Sequence, residues 1–269
     1  MHLKRWLTAL VLLPLLFLNL IKGSPLVFSG LVVLVALIGM AEYLAIVSAG
    51  PDGPMPPAFK MAAYVFSAAL IGAAHLQSAE GILFILAANL VVVSISVVLG
   101  FSRESNILAH MEKQVQGIVY IPAFLCFLVW LRHSDQGAVW VIWTWLIIAA
   151  SDTGAFYSGT YLGKHPLCSR VSPKKTIEGA VGGIFLAVLV GLVFSCIFLP
   201  ELPVLWVLCF SIVSTVAGQL GDLYESALKR AGSIKDSGHI LPGHGGILDR
   251  IDAFIFALPV AFAFKAYLL

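Results

Sequence analysis

Long apolar runs alternate with short polar breaks along the chain, in a rhythm that suits membrane helices better than strands. A spanning helix needs about 20 mostly apolar residues. Nine stretches meet or approach that length: 6–21, 26–48, 60–77, 81–101, 116–131, 137–158, 177–199, 203–228 and 248–268. The first and fifth are short, so counts of eight or ten spans stay open. Turn-forming breaks separate them, with "SAGPDGPMPP" before the third, "SRESNILAHMEKQ" before the fifth and "LPELP" before the eighth, each read as a loop. The expected fold is an all-α integral membrane protein of about nine transmembrane helices. Residues 1–269 are read as one polytopic membrane domain, with few motifs in 1–135 and the chemistry concentrated in 136–269.

Composition agrees with that pattern. Of 269 residues, 60% are hydrophobic and 11% charged, whereas soluble domains run to roughly 45–50% apolar and about 25% charged. A soluble enzyme and a nucleic-acid binder are both excluded. The start, "MHLKRWLTALVLLPLLFLNLIKGSP", has a basic head and an apolar run but no small-residue cleavage site, so it is read as a retained first helix. Nine spans place Lys4, Arg5, Lys60, Arg103, Lys113, Lys164, Arg170, Lys174, Lys175, Lys229, Arg230, Lys235 and Arg250 on one side and Lys22, Arg132 and Lys265 on the other. That asymmetry puts the N-terminus in the cytoplasm and the C-terminus outside. The four cysteines show no metal-binding spacing and read as packing residues.

Polar chemistry gathers in two islands on the side assigned to the cytosol. The first is "ASDTGAFYSGTYLGKHPLCSRVSPKKTIEGAVGG", where Asp152 is read as closing the sixth helix and Lys174 and Lys175 precede Thr176 and Glu178. Paired lysines beside a membrane often serve only as anchors or headgroup contacts. The second runs from "AGQLGDLYESALKR" through "AGSIKDSGHILPGHGG" to "LDRID". On a helix Asp222, Ser226 and Lys229 share one face, with Glu225 beside them. A carboxylate at such a depth is a functional candidate; the plain alternative is an interfacial Asp222 neutralised by Lys229. Gly238, Gly243, Gly245 and Gly246 allow backbone N–H groups to converge on an anion. Asp249 and Asp252 stand near a helix start, where complementing the helix dipole is their ordinary role. His239 and His244 lack a zinc partner set. Oxygen ligands with few protein donors suit Mg²⁺, which is commonly completed by substrate phosphates. Carboxylates, lysines and glycine turns together point to a polyphosphate, although no P-loop or Rossmann fingerprint is present.

The run S-x-x-K-R-x4-K-D-x-G-x2-L-P-G-H-G-G-x-x-D-R-x-D, Ser226 to Asp252, resembles the phosphatidate cytidylyltransferase (CDP-diacylglycerol synthase) family, and so does "SDTGAFYSGTYLGK…SPKKTIEG". The resemblance implies transfer of a cytidylyl group from CTP to phosphatidate at the cytosolic face of the inner membrane, giving CDP-diacylglycerol and pyrophosphate. It implies Mg²⁺ as cofactor, held by Asp222 and Asp249 with Asp252 as a further ligand; a second cation and a homo-oligomer are left open. Lys229, Arg230, Lys235 and Arg250 are expected to hold phosphates, and Asp236 and His244 to orient the loop. Asp152, Lys174, Lys175, Thr176, Ser226, Gly245 and Gly246 are expected to contact CTP or the lipid phosphate. Rival readings are a CTP-dependent lipid-alcohol kinase, a cytidylyltransferase for an ether-linked isoprenoid lipid, and a transporter. A transporter would place charges near the midplane with repeat symmetry, which the sequence lacks. The aspartate pattern of a CDP-alcohol phosphotransferase, D-G-x2-A-R, is missing. Glu42 in "MAEYLA" is an intramembrane carboxylate without an assigned role.

Overall fold

The computed structural model describes residues 14, 16–102, 106–238 and 245–268, and helix dominates them. After helical residues 16–22 come α1 (Pro25–Ser48), α2 (Pro57–His75), α3 (Ala79–Gly100) and α4 (Ile107–Ile118). A π-helical turn (Val119–Ala123) joins α4 to α5 (Phe124–His133). Next are α6 (Gly137–Leu162), an antiparallel hairpin of β1 (Pro166–Cys168) and β2 (Ser172–Thr176), α7 (Ile177–Phe198) and α8 (Val204–Ala231). The last helix, α9 (Leu248–Ala263), ends in a second π-helical turn (Phe264–Leu268).

Among the described residues, seven helices are long and apolar enough to cross a membrane: α1, α2, α3, the Ile107–His133 rod, α6, α7 and α8. Apolar side chains such as Phe84, Val98, Leu99 and Phe185 stand exposed on them, as lipid rather than water requires. The chain therefore has the make-up of a multi-pass membrane protein. α9 has 16 residues and carries Pro259; with its π-helical extension it occupies the stretch expected as the ninth span. Most of the expected first span lies outside the described residues.

Two features depart from the sequence expectation. The stretch before the fifth span is helical from Ile107 onward, because α4 is two-faced and buries Ile107, His110 and Gln114. Two of its polar side chains, Gln114 and Lys113, are bonded within the protein and need no solvent loop. Asn89 and Gln114 exchange amide hydrogen bonds of 3.2 and 2.8 Å. Lys113 Nζ lies 2.6 Å from Asp52 and donates to the Val47 carbonyl at 3.2 Å; that ammonium holds the Asp52 carboxyl below its usual range. The second departure is the hairpin, which an all-α reading did not contain. It is short and polar, pairing Pro166 with Thr176 and Cys168 with Ser172.

The chain divides into two compact units, residues 1–133 with 228–250 and residues 134–227 with 251–269. In the first, Met40, Tyr43, Phe59, Leu70, Ile71, Ile121 and Leu125 form the interior. Tyr43 Oη lies 2.8 Å from both the Lys113 carbonyl and Gln116 Oε1, which share its one hydroxyl proton. Pro122 sits in the π-helical turn, where its missing N–H and its ring would otherwise disrupt an α-helical ladder.

In the second unit, Trp140, Trp143, Phe194 and Phe210 make the aromatic interior, with the Trp143 and Phe210 rings 4.4 Å apart. The α6–α7 seam is built from small residues that let the backbones approach, the usual device of membrane helix pairs. Gly159 and Gly179 face each other across it, and Gly183 lies against the Ser151 carbonyl. A Cβ at Gly154 would lie 2.6 Å from the Gly182 carbonyl oxygen and 2.9 Å from Leu186 Cβ. Gly154→Val should therefore force the seam apart, at about 1–3 kcal/mol for overpacking, and lower the thermal unfolding midpoint in detergent. An unchanged midpoint would contradict this packing.

Candidate active site

Each unit holds a lysine–carboxylate pair at the polar end of its helices. In the second unit, the pair depends on how the hairpin is tied between α6 and α7. Thr176 Oγ1 caps α7 by accepting from Gly179 N–H at 3.1 Å, and the Ile177 N–H donates to the His165 carbonyl at 2.9 Å. Glu178, in the first turn of α7, accepts the N–H groups of Lys164 and His165 at 3.1 and 3.2 Å and meets His165 Nδ1 at 2.5 Å. A carboxylate at a helix start is stabilised by the orphan N–H groups there. These bonds anchor both ends of the segment that carries Lys174 and Lys175.

Lys175 Nζ forms an ion pair with Asp222 of α8. Both line an open cleft of about 550 Å³, together with Asp152, Lys174, Thr176 and Gln219. Gln219, one turn before Asp222, donates to the Ala180 carbonyl at 3.0 Å and to Ser151 Oγ at 3.4 Å, which ties α8 to α6 and α7 under the cleft. The Asp222 side chain is 36% exposed, and Asp152 and Lys174 are exposed. The cleft thus offers ammonium groups to an anion and carboxylate oxygens to a cation. Asp152 does not close its helix as expected, since α6 continues to Leu162. Asp222 is not neutralised by Lys229, since its partner is Lys175.

In the first unit, Lys229 takes Asp249, with Nζ 2.7 Å from Oδ1. Oδ2 of Asp249 accepts the N–H groups of Ser237 and Gly246 at 3.1 and 3.0 Å. This carboxylate thereby draws the two flanks of the 239–244 stretch together, and Gly245 turns between them with φ +81°, a left-handed conformation that favours glycine. Arg230, Lys235, Asp236 and Arg250 are exposed around this junction. His244, with His239 and Gly243, lies outside the described residues.

The remaining expected site residues are in the second unit. Ser226 is half-buried. Asp252 is 8% exposed, and its Oδ1 accepts the Ala253 N–H at 2.8 Å. Gly221 leaves room for the Asp252 backbone, with the carbonyl oxygen 2.5 Å from where a Cβ would stand. No three His, Cys, Asp or Glu residues gather as a metal cage among the described residues. Sequence reasoning missed Ser151, Gln219 and Ser237 as supports. Gln219 was detectable three residues before Asp222 on the same helical face; Ser237 gave no signal beyond its glycine neighbour.

The cytidylyltransferase family's sequence profile matches residues 3–268, and the chain belongs to that family. It is 42% identical over 142 residues to the phosphatidate cytidylyltransferase of Bacillus subtilis (strain 168), over 52% of this chain and 53% of that protein. With the phosphatidate cytidylyltransferase of Staphylococcus epidermidis (strain ATCC 12228 / FDA PCI 1200) it shares 45% over 134 residues, 50% and 52% of the two chains. With that of Staphylococcus saprophyticus it shares 43% over 147 residues, 54% and 55%. In these matches the chain spans about half the length of the curated relatives.

Breaking one partner of the first-unit pair should cost more than removing both. Lys229→Met leaves the Asp249 charge mostly buried without its cation, a loss of about 1–3 kcal/mol. Lys229→Met combined with Asp249→Asn should recover part of that loss in thermal unfolding. Strictly additive losses would show that the pair is not coupled in the folded protein.

Proposed function

We propose that the protein is a phosphatidate cytidylyltransferase: it transfers a cytidylyl group from CTP to phosphatidate and releases pyrophosphate. The observation that carries this reading is the cleft in which Asp152, Lys174, Lys175 and Asp222 meet, in a chain of the cytidylyltransferase family. In the reaction a phosphate oxygen of the lipid bonds to the α-phosphorus of CTP. The bond from that phosphorus to the bridging oxygen breaks, and pyrophosphate leaves with the electron pair. The lipid phosphate is already a nucleophile, so no covalent enzyme intermediate is needed.

Two polyanions must approach each other, and the chain's part is to offset their repulsion with fixed charge. Lys174 and Lys175 bind phosphate in the cleft, with Lys175 exchanging its Asp222 partner for the ligand. Thr176 and Asp152 contact the substrate at the same walls, and Ser226 lies farther along α8. In the first unit Lys229, Arg230, Lys235 and Arg250 supply cations beside a glycine turn, Gly245–Gly246, and Asp236 and His244 orient it.

The donor set fits magnesium. That ion usually takes one or two carboxylates and completes its shell with phosphate oxygens and water. Asp222, partly exposed in the cleft, is a donor of that kind. Asp249 is the second proposed ligand and Asp252 a further one. When bound, the ion withdraws charge from the phosphoryl oxygens and the leaving pyrophosphate. The positive-inside asymmetry supports a cytosolic active site in the inner membrane, with the N-terminus on that side and the C-terminus outside.

CTP labelled at its α-phosphate tests the reading. Purified protein with phosphatidate and Mg²⁺ should move the label into extractable lipid; label found in CDP would indicate a kinase instead. Asp249→Asn and Lys175→Ala should each lower kcat/KM by about 100-fold or more, with the detergent-solubilised fold retained. Activity near wild type in Asp249→Asn would remove that carboxylate from the site.

A further inference from the structure

Glu42 lies on α1, in the half of the chain with few motifs, and is 4% exposed. Its carboxylate accepts three hydrogen bonds from the start of α9 and the loop before it. Oε1 takes the Ile247 N–H at 3.0 Å; Oε2 takes the Leu248 N–H at 2.8 Å and the Ser237 hydroxyl at 3.2 Å. The Ile247 and Leu248 N–H groups belong to a helix start, where no intrahelical carbonyl is available to them. An anion from another helix satisfies them and favours the positive end of the α9 dipole.

The same junction feeds Asp249, whose Oδ2 accepts the Ser237 and Gly246 N–H groups while Oδ1 faces Lys229. Two carboxylates therefore divide one set of donors. Two glycines show how closely Glu42 is fitted. A Cβ at Gly238 would meet Glu42 Oε1 at 2.6 Å, Cδ at 2.9 Å and Cγ at 3.1 Å. One at Gly246 would meet Glu42 Oε2 at 2.5 Å, and the Ser237 hydroxyl as well.

We infer that Glu42 is a positioning residue for the reaction: it absorbs the donors at the start of α9, fixes Ser237 and Gly246, and so keeps the Asp249 carboxylate aimed at Lys229. This rests on the reading above in placing Asp249 in the catalytic set. Without Glu42, the Ile247 and Leu248 N–H groups and the Ser237 hydroxyl lose their acceptor. The junction must then rearrange to satisfy them, moving the peptide groups that hold Asp249. A buried polar donor left unsatisfied is costly enough to drive such a change.

Glu42→Gln is the first test, because it keeps the shape and replaces one acceptor oxygen by a donor. It should lower kcat by about 10- to 100-fold, the usual effect of losing a residue that orients a ligand, while KM for CTP moves by less than about threefold. The thermal midpoint should fall by a few degrees, with the protein still folded at the assay temperature. Wild-type kcat, or a loss of activity matched by the fraction of protein unfolded, would overturn the inference. The second test is a stability cycle. Gly238→Ala should lower the midpoint in the wild-type background and much less in Glu42→Ala, where the space is vacated. Equal penalties in both backgrounds would overturn the contact itself. The cycle reads Glu42 whichever reaction the protein catalyses, so failure of the proposed function and failure of this inference are separate results.

Discussion

An ionised carboxylate inside an apolar helical protein must be given a partner, and that requirement organises the polar parts of this molecule. Asp222 takes Lys175, Asp249 takes Lys229 and two backbone N–H groups, and Glu42 takes two N–H groups and a hydroxyl. Leaving a buried carboxylate without such partners is costly. In the proposed reaction, a lysine that neutralises a carboxylate would turn to a phosphate as the carboxylate acquired a cation.

Rigid elements set these groups in place. Small residues draw α6 against α7, and the Glu178 and Thr176 bonds then fix the hairpin that presents Lys174 and Lys175. In the other unit the junction before α9 is held from both sides, by a side chain of α1 and by the second residue of α9 itself. A site for a polyanion needs positive groups and amides that cost little reorganisation when charge develops. Helix starts and a short hairpin, each hydrogen-bonded at its base, meet that need better than an open loop would.

Much of the architecture was legible because membrane helices are apolar over most of their circumference and end at polar breaks. Six expected spans recur as α1, α2, α3, α6, α7 and α8, with ends displaced by a few residues. The fifth was misjudged at its start, because hydropathy reads Gln and Lys as solvent-facing. In α4 Gln114 is satisfied by Asn89, and Lys113 by Asp52 and the Val47 carbonyl. The charged islands were visible as composition, and the aspartates and lysines in them as candidates. Their pairing was not. Lys175 with Asp222 and Lys229 with Asp249 depend on tertiary placement, whereas helical spacing alone offered Lys229 as the partner of Asp222. Glu42 was conspicuous as a buried charge, but nothing local linked it to residues 237 and 247–248, because those contacts cross most of the chain.

The most direct measurement is the protection of single lysines from an amine-specific reagent, read by peptide mass spectrometry on the detergent-solubilised protein with CTP and Mg²⁺, with phosphatidate, or with neither. The account predicts that one of the two substrates slows modification of Lys174 and Lys175 while exposed Lys22 reacts at an unchanged rate. Modification of Lys174 and Lys175 that proceeds equally fast at saturating CTP and at saturating phosphatidate would contradict the assignment of the cleft to a substrate phosphate.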